Sequence, residues 1–310
     1  MAVTAQLVDA FGSDRSSRAQ EAALSLARRL PSLIAAAREI AASVMHGVHG
    51  RRRAGVGETF WQFRPFAAGE SAQRIDWRRS ARDDRLFVRE REWEAAHTVW
   101  LWPDISRSMA FRSSLALQAK ADRALVLGLA SADLLVRGGE RVGLLAVTRP
   151  LASRDIVERL AEALLLRDRH GDAPSDGLPP DAILAPRTRA LLISDFLVVP
   201  ERFAARLGTL ASRGARGHCL MIADPVEESF PFSGHTEFFG VGSSDRFRAG
   251  RAETYRADYL KRLAQHRDRI RDIAQANGFT IGLHRTDRPA SEALLALRTH
   301  LEASIAGDAR

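Results

Sequence analysis

From Ala96 onward, short apolar runs alternate with longer segments of helical spacing. This alternation is the strongest constraint on the fold. The runs are "HTVWLWP", "RVGLLAVT", "RALLISDF", "GHCLMIAD" and "FTIGLHRT". Between them lie Ser114 to Arg137, Arg154 to Leu166, Glu201 to Ser212 and Ala252 to Asn277, and Ser291 to Ala306 follows the last run. Gly138 and Gly139 supply a stop for the first of these helices. Strands this apolar are buried on both faces, and a helix between successive strands is the usual crossover between parallel neighbours. The pattern predicts an α/β fold built on a doubly wound, mostly parallel sheet. "RPLAS" is expected to return as a short edge partner. "PVEESFPFSGHTEFFGVGSSDRFRAG" breaks the alternation and predicts an insertion at about 225–251, with a hairpin, before the long helix at Ala252.

The amino-terminal part has a different pattern. Gln20 to Val44 is rich in Ala and Leu at helical spacing, which predicts a helix interrupted or kinked near Pro31. "HGVHGRRRAGVG" is a glycine and arginine hinge. "TFWQFRPF" and "RLFVREREWE" have strand character, and the polar "GESAQRIDWRRSARDD" between them predicts loop plus a short helix. Two domains are therefore expected: 1–95, an amino-terminal helix and strand-containing region, and 96–310, the sheet domain. No stretch is long and apolar enough for a membrane span. The start lacks a basic segment followed by an apolar core, so no secretory signal is expected. A cytoplasmic protein is expected. The single cysteine, Cys219, falls in a predicted buried strand and reads as an inert core thiol.

In a doubly wound sheet, ligands gather at the carboxyl ends of the strands. Asp104, Asp195 and Asp224 all fall at such ends. "DISRSM" sets Asp104, Ser106 and Ser108 at alternate positions just where an apolar run stops. A carboxylate and two hydroxyls are hard oxygen donors of the kind that suit Mg2+. The neutral hydroxyls leave such a cation electrophilic, open to a further carboxylate from another protein. The competing reading is a helix cap. Asp224, Glu227 and Glu228 form an acidic cluster that reads as a cap and a solvated loop. His46 and His49 are three apart but lack an obvious third ligand, so they read as a helix end or hinge. For "IDWRRSAR" the expectation is a structural brace, with Asp76 capping a turn or pairing with Arg78 or Arg79. Trp77 reads as a core or interface residue.

The net charge is +8, and all of the 46 basic residues except Lys120 and Lys261 are arginine. Arginines interleaved with acids, as in "RDDRLFVREREWE" and "QHRDRIRD", predict an ion-paired, solvated surface rather than a nucleic-acid face. "GVGETF" lacks the third glycine of a dinucleotide loop, and G-x-x-x-x-G-K-[ST], G-x-S-x-G and H-E-x-x-H are all absent.

"DISRSM" resembles the D-x-S-x-S motif of von Willebrand factor A domains, whose metal-ion-dependent adhesion site it implies here. The metal residues implied are Ser106 and Ser108 as ligands, with Asp104 and Asp195 in support. The cation implied is Mg2+ or Mn2+. That family also uses a threonine from an intervening loop, which has no clear equivalent here; "HGDAPSDGLPPD" offers Ser175 or Asp176. A narrower resemblance lies upstream, in "RRRAGVGETFWQFRPFAAGESAQRIDWRRSARDDRLFVRERE". It is similar to the signature of the domain-of-unknown-function family fifty-eight, G-x-G-x-x-F, R-x-[YF], G-[DE], R-x-I-D-W and a strand ending V-[RK]-E. Here these are Gly55, Gly57 and Phe60; Arg64 and Phe66; Gly69 and Glu70; Arg74, Ile75, Asp76 and Trp77; and Val88, Arg89 and Glu90. "DPVEESFPFSG" is similar to a segment in bacterial members. The resemblance implies a non-catalytic adaptor that works with a MoxR-type AAA+ ATPase and other von Willebrand factor A proteins in chaperone-like assembly. It would capture an acidic side chain of a client at the metal. The alternatives are a Mg2+-dependent phosphoester hydrolase and an arginine-rich nucleic-acid-binding protein.

Overall fold

The computed structural model describes residues 24–45, 60–67, 70–83, 85–91, 96–169, 176–240 and 246–308. The chain divides into two compact units, residues 51–96 and residues 1–50 together with 97–310.

The larger unit holds a five-stranded sheet. Its strands are β3 (Thr98–Pro103), β4 (Arg141–Leu144), β5 (Arg189–Ser194), β6 (Arg216–Ala223) and β9 (Phe279–Arg285), in the order β4-β3-β5-β6-β9. Every pairing is parallel. The chain steps from β3 outward to β4, recrosses to β5, and continues to β6 and β9 on the other side. The direction reverses between β3 and β5, and a crevice opens there at the carboxyl ends. "RPLAS" does return to the edge, as one antiparallel bridge between Leu151 and Val142.

Alternate residues of each strand feed two layers. Val99, Leu101, Leu191, Ile193, Leu220 and Ile222 pack on one side, against α1 (24–45), α3 (Lys120–Arg137), α4 (Ile156–Arg169) and α8 (Ala290–Asp308). Trp102, Ala190, Leu192, Cys219 and Met221 pack on the other, against α5 (Pro200–Ala211) and α7 (Arg256–Ala276). With both faces covered, β5 is buried at every position, which is why its middle, Ala190 to Ile193, is unbroken apolar. Helix α1 belongs to the first layer. Its buried residues Leu26, Leu30, Leu33, Ala37, Ala41 and Val44 recur every three or four positions. The helix runs continuously through Pro31.

Two helix starts differ from expectation, that of α3 and, by one 3-10 turn, that of α7. Helix α3 begins at Lys120, not Ser114. Residues 111–119 form a loop because Ser113 gives its backbone N–H to Asp224 Oδ2 (2.9 Å) and the Lys120 N–H turns back to the Phe111 carbonyl (3.3 Å). The insertion carries a short helix, α6 (Pro225–Ser229), and an antiparallel pair, β7 (Thr236–Phe239) with β8 (Arg246–Ala249). A turn of 3-10 helix, Ala252–Tyr255, precedes α7.

In the smaller unit, β1 (Phe60–Pro65) pairs antiparallel with β2 (Phe87–Arg91) around the short α2 (Trp77–Ser80). Several signature residues close on one another. Arg64 forks onto Glu70 (2.6 and 3.2 Å), and Glu70 also accepts the Ala67 N–H. Asp76 caps α2 by accepting the Arg79 N–H (3.0 Å). Ile75 bridges to Val88. Arg79 lies over the Phe87 ring. Trp77 is 63% exposed, so it is not a core residue. Gly55, Gly57 and Gly69 lie outside the described residues.

No described helix is long and apolar enough to cross a membrane. The larger unit is thus a doubly wound parallel sheet covered by helices on both faces, with an insertion before α7.

Candidate functional site

The site begins where β3 and β5 end side by side. Pro103 pairs with Ile193, and the Asp104 N–H donates to the Ile193 carbonyl (2.8 Å). The Asp104 side chain then closes a local turn. Its Oδ1 accepts the Ser106 N–H (2.8 Å), and its Oδ2 accepts the Ser194 hydroxyl (2.7 Å). Burial raises the Asp104 pKa, against the lowering effect of the Ser194 and Ser106 hydrogen bonds, and the nearby charge of Asp195 adds to the rise. Ser106 leads into a turn of 3-10 helix (Arg107–Ala110), which brings its Oγ to 3.2 Å from Ser108 Oγ.

Strand β5 stops in the same manner. The Ser194 hydroxyl accepts the Phe196 N–H (3.1 Å), and Asp195 Oδ1 accepts the Leu197 N–H (3.0 Å). Phe196 adopts a φ of 50°, a left-handed conformation disfavoured for a bulky side chain. Two contacts hold it: His266 Nε2–H donates to its carbonyl (2.8 Å), and its ring packs on Phe203. Backbone strain of this kind clusters at functional sites.

The group that meets Asp195 is Lys120, a residue outside the motif. Lys120 is the first residue of α3, and its ammonium lies 2.9 Å from Asp195 Oδ2 and 2.5 Å from Glu227 Oε1, at 1% exposure. Burial acts to lower its pKa, but the carboxylates of Asp195 and Glu227 outweigh it and leave the pKa raised. Glu227 reaches both ways, since its Oε2 accepts the Asp224 N–H (2.8 Å). Asp224 in turn accepts the N–H groups of Val226 and Ser113. Asp224 is therefore the cap that was expected, in a capping box with Glu227. Glu228 pairs with Arg267 instead.

Ser108, Lys120, Asp195 and Glu227 form the polar floor of an open cleft of about 340 Å3. Its walls are Phe111, Leu197, Val226, Phe230, Phe232, Phe238 and Tyr259. Phe230 contacts the rings of Phe232, Phe238 and Tyr259 at centroid distances of 5.1, 5.7 and 4.8 Å. Burial, with the charge of Glu227, pushes the Tyr259 hydroxyl up to about 12. The insertion thus builds one side of the cleft.

The donor set does not fit a divalent cation held as the resemblance implies. Both oxygens of Asp104 and both of Asp195 already accept hydrogen bonds. One of those bonds comes from a fixed positive charge, which would repel a second cation close by. The intervening loop brings Gly177 where a hydroxyl would be wanted: a Cβ there would lie 3.6 Å from Ser106 Oγ and 3.7 Å from Asp104 Oδ2. Asp176 is turned to Arg202 (2.9 Å), and Ser175 lies outside the described residues, as do His46 and His49. Among the described residues, no three His, Cys, Asp or Glu side chains converge as a metal cluster.

Lys120, Glu227, Ser194 and the aromatic wall were not foreseen as one site. The composition did carry one signal, because Lys120 is one of two lysines among 46 basic residues.

The family model described as protein of unknown function DUF58 matches residues 62–269. The crystal structure of the conserved hypothetical protein BatB from Bacteroides thetaiotaomicron is similar at 13% identity, covering 67% of this chain and 100% of that one, with a TM-score of 0.37. No curated protein matches. Matched over more than half its length, the chain belongs to the DUF58 family.

Proposed function

We propose that the protein is a non-catalytic interaction adaptor that recruits a client to a MoxR-type AAA+ ATPase, beside other von Willebrand factor A proteins, for chaperone-like assembly or maturation. The docking site is the cleft floored by Ser108 and Asp195, with Asp104 and Ser106 bracing it from behind. One observation carries this reading. The cleft lies at the switch point of the sheet, its polar floor is closed in mutual hydrogen bonds and ion pairs, and its wall is a cluster of aromatic rings. A floor whose acids are engaged in this way offers no spare base to a substrate. A row of rings beside it offers the rigid apolar surface that protein partners bury. The acidic client side chain implied by the resemblance depends on a metal, and the aromatic wall favours an apolar or aromatic client side chain.

The test is to mix the purified full chain with each MoxR-type ATPase of its own organism and to follow elution with light scattering. Co-elution with at least one of them, at a Kd of about 10 µM or tighter, is the expected result. Failure to co-elute with any would overturn the ATPase partnership. Turnover of a phosphoester with Mg2+, abolished by Asp104→Ala, would overturn the non-catalytic reading.

A further inference from the structure

We infer that Lys120 is the resident cation of this site, supplying from within the chain the positive charge that a divalent metal supplies in von Willebrand factor A domains. The site then works without a metal.

The first support is geometric. The ammonium bridges Asp195, at the end of β5, and Glu227, in the helix that follows β6. It therefore sits at the carboxyl edge of the sheet, on the aspartate expected to support the metal. An ammonium is a compact point charge with three donors. Two of the three are engaged by these carboxylates, and the Phe111 ring lies 5.7 Å from the nitrogen.

The second support is how unfavourable this position is for a lysine. Lys120 is buried, and burying a charge is tolerated only when it is paired. It also opens helix α3, where the helix dipole opposes a cation. Arg123, a second buried cation, sits in the following turn. The helix dipole and the cost of burial argue against a lysine here, and the two carboxylates are what hold it. The chain meets almost every other need for positive charge with arginine. A planar guanidinium could not occupy the space of a single ion.

The third support comes from the rest of the donor set. A metal held mainly by neutral hydroxyls needs several of them. Here Ser106 and Ser108 stand 3.2 Å apart, and the covering loop presents Gly177.

The test is calorimetric titration of the metal-stripped full chain with Mn2+ and Mg2+, for wild type, Asp104→Ala and Lys120→Ala. Wild type is expected to show no saturable binding up to about 10 mM. Lys120→Ala frees Asp195 and Glu227, and it is expected to bind Mn2+ at least tenfold more tightly than wild type and to gain thermal stability from it. Adding Asp195→Asn to that variant should remove both gains. One-to-one binding of Mn2+ to wild type below about 1 mM, lost in Asp104→Ala, would overturn the inference. So would a folded Lys120→Ala that gains no affinity. Should Lys120→Ala fail to fold, the wild-type titration decides alone. None of these results bears on co-elution with an ATPase, so the adaptor reading stands or falls separately.

Discussion

Gly217 in β6 shows how tightly single positions are set around the sheet. A Cβ there would meet the Ala190 carbonyl oxygen at 2.1 Å and the Phe279 ring at 2.5 Å. Neither neighbour can yield, because one is backbone of a central strand and the other a fully packed ring. Gly217→Ala is therefore expected to destabilise the protein by about 3 kcal/mol, near the upper end for overpacking. Gly250→Ala, with nothing within 4 Å of its Cβ, should shift stability by less than about 0.5 kcal/mol. Thermal unfolding of the two variants checks the pair, and equal melting temperatures would contradict the packing argument. At this scale the motif Asp104, Ser106 and Ser108 was legible because its members are neighbours in the chain. Lys120 was not, because its partners stand 75 and 107 residues away. Only its rarity in an arginine-rich chain marked it.

At the scale of elements, α6 is held by its cap more than by its length. It has five residues, and Asp224 satisfies the Val226 N–H inside it and the Ser113 N–H of the loop before α3. Loss of the cap costs about 1 kcal/mol, and the part-buried Ser113 N–H left without its acceptor adds about 1 to 3 kcal/mol. Asp224→Ala is thus expected to destabilise by about 2 to 4 kcal/mol in urea unfolding. Asp224→Asn, which keeps an accepting oxygen, should recover a large part of this. If Asn and Ala are equally damaging, the cap is not what the carboxylate supplies. The same contact explains why α3 starts later than its apolar spacing predicts. "SLALQA" has apolar residues at helical spacing, yet Leu115 and Leu117 are 55% and 75% exposed. Periodicity counted them as a buried face, while a tertiary bond to Ser113 held the segment as loop. The sheet strands were legible because burial on both faces writes itself as an unbroken apolar run.

At the scale of the whole molecule, the winding of the sheet was legible from the alternation of elements, but the polar contacts that tie its layers together were not. Two of these are histidines. His218 in β6 donates to or accepts from Thr280 Oγ1 (2.7 Å) and stacks on His300 of α8. His284 in β9 accepts from Arg123 of α3 at Nε2 (2.8 Å), with Asp287 nearby. Burial lowers both pKa values to about 4, with the charge of His300 adding to the effect on His218 and that of Arg123 on His284. Well above pH 6.5 both histidines are neutral whether the chain is folded or not, so their contribution to stability is independent of pH there. Between about pH 6.5 and 4 the unfolded chain takes up protons that the folded one refuses, and stability falls as the pH drops. The loss is at most about 3 kcal/mol for each histidine. Asp104 works in the opposite sense, because its raised pKa favours the folded state on acidification. The informative comparison is therefore between wild type and the double variant His218→Gln/His284→Gln, by urea unfolding at pH 7, 6, 5 and 4.5. The variant is expected to be less stable at pH 7 but to lose less between pH 6.5 and 4.5. Parallel pH profiles would show that these side chains do not carry the acid sensitivity.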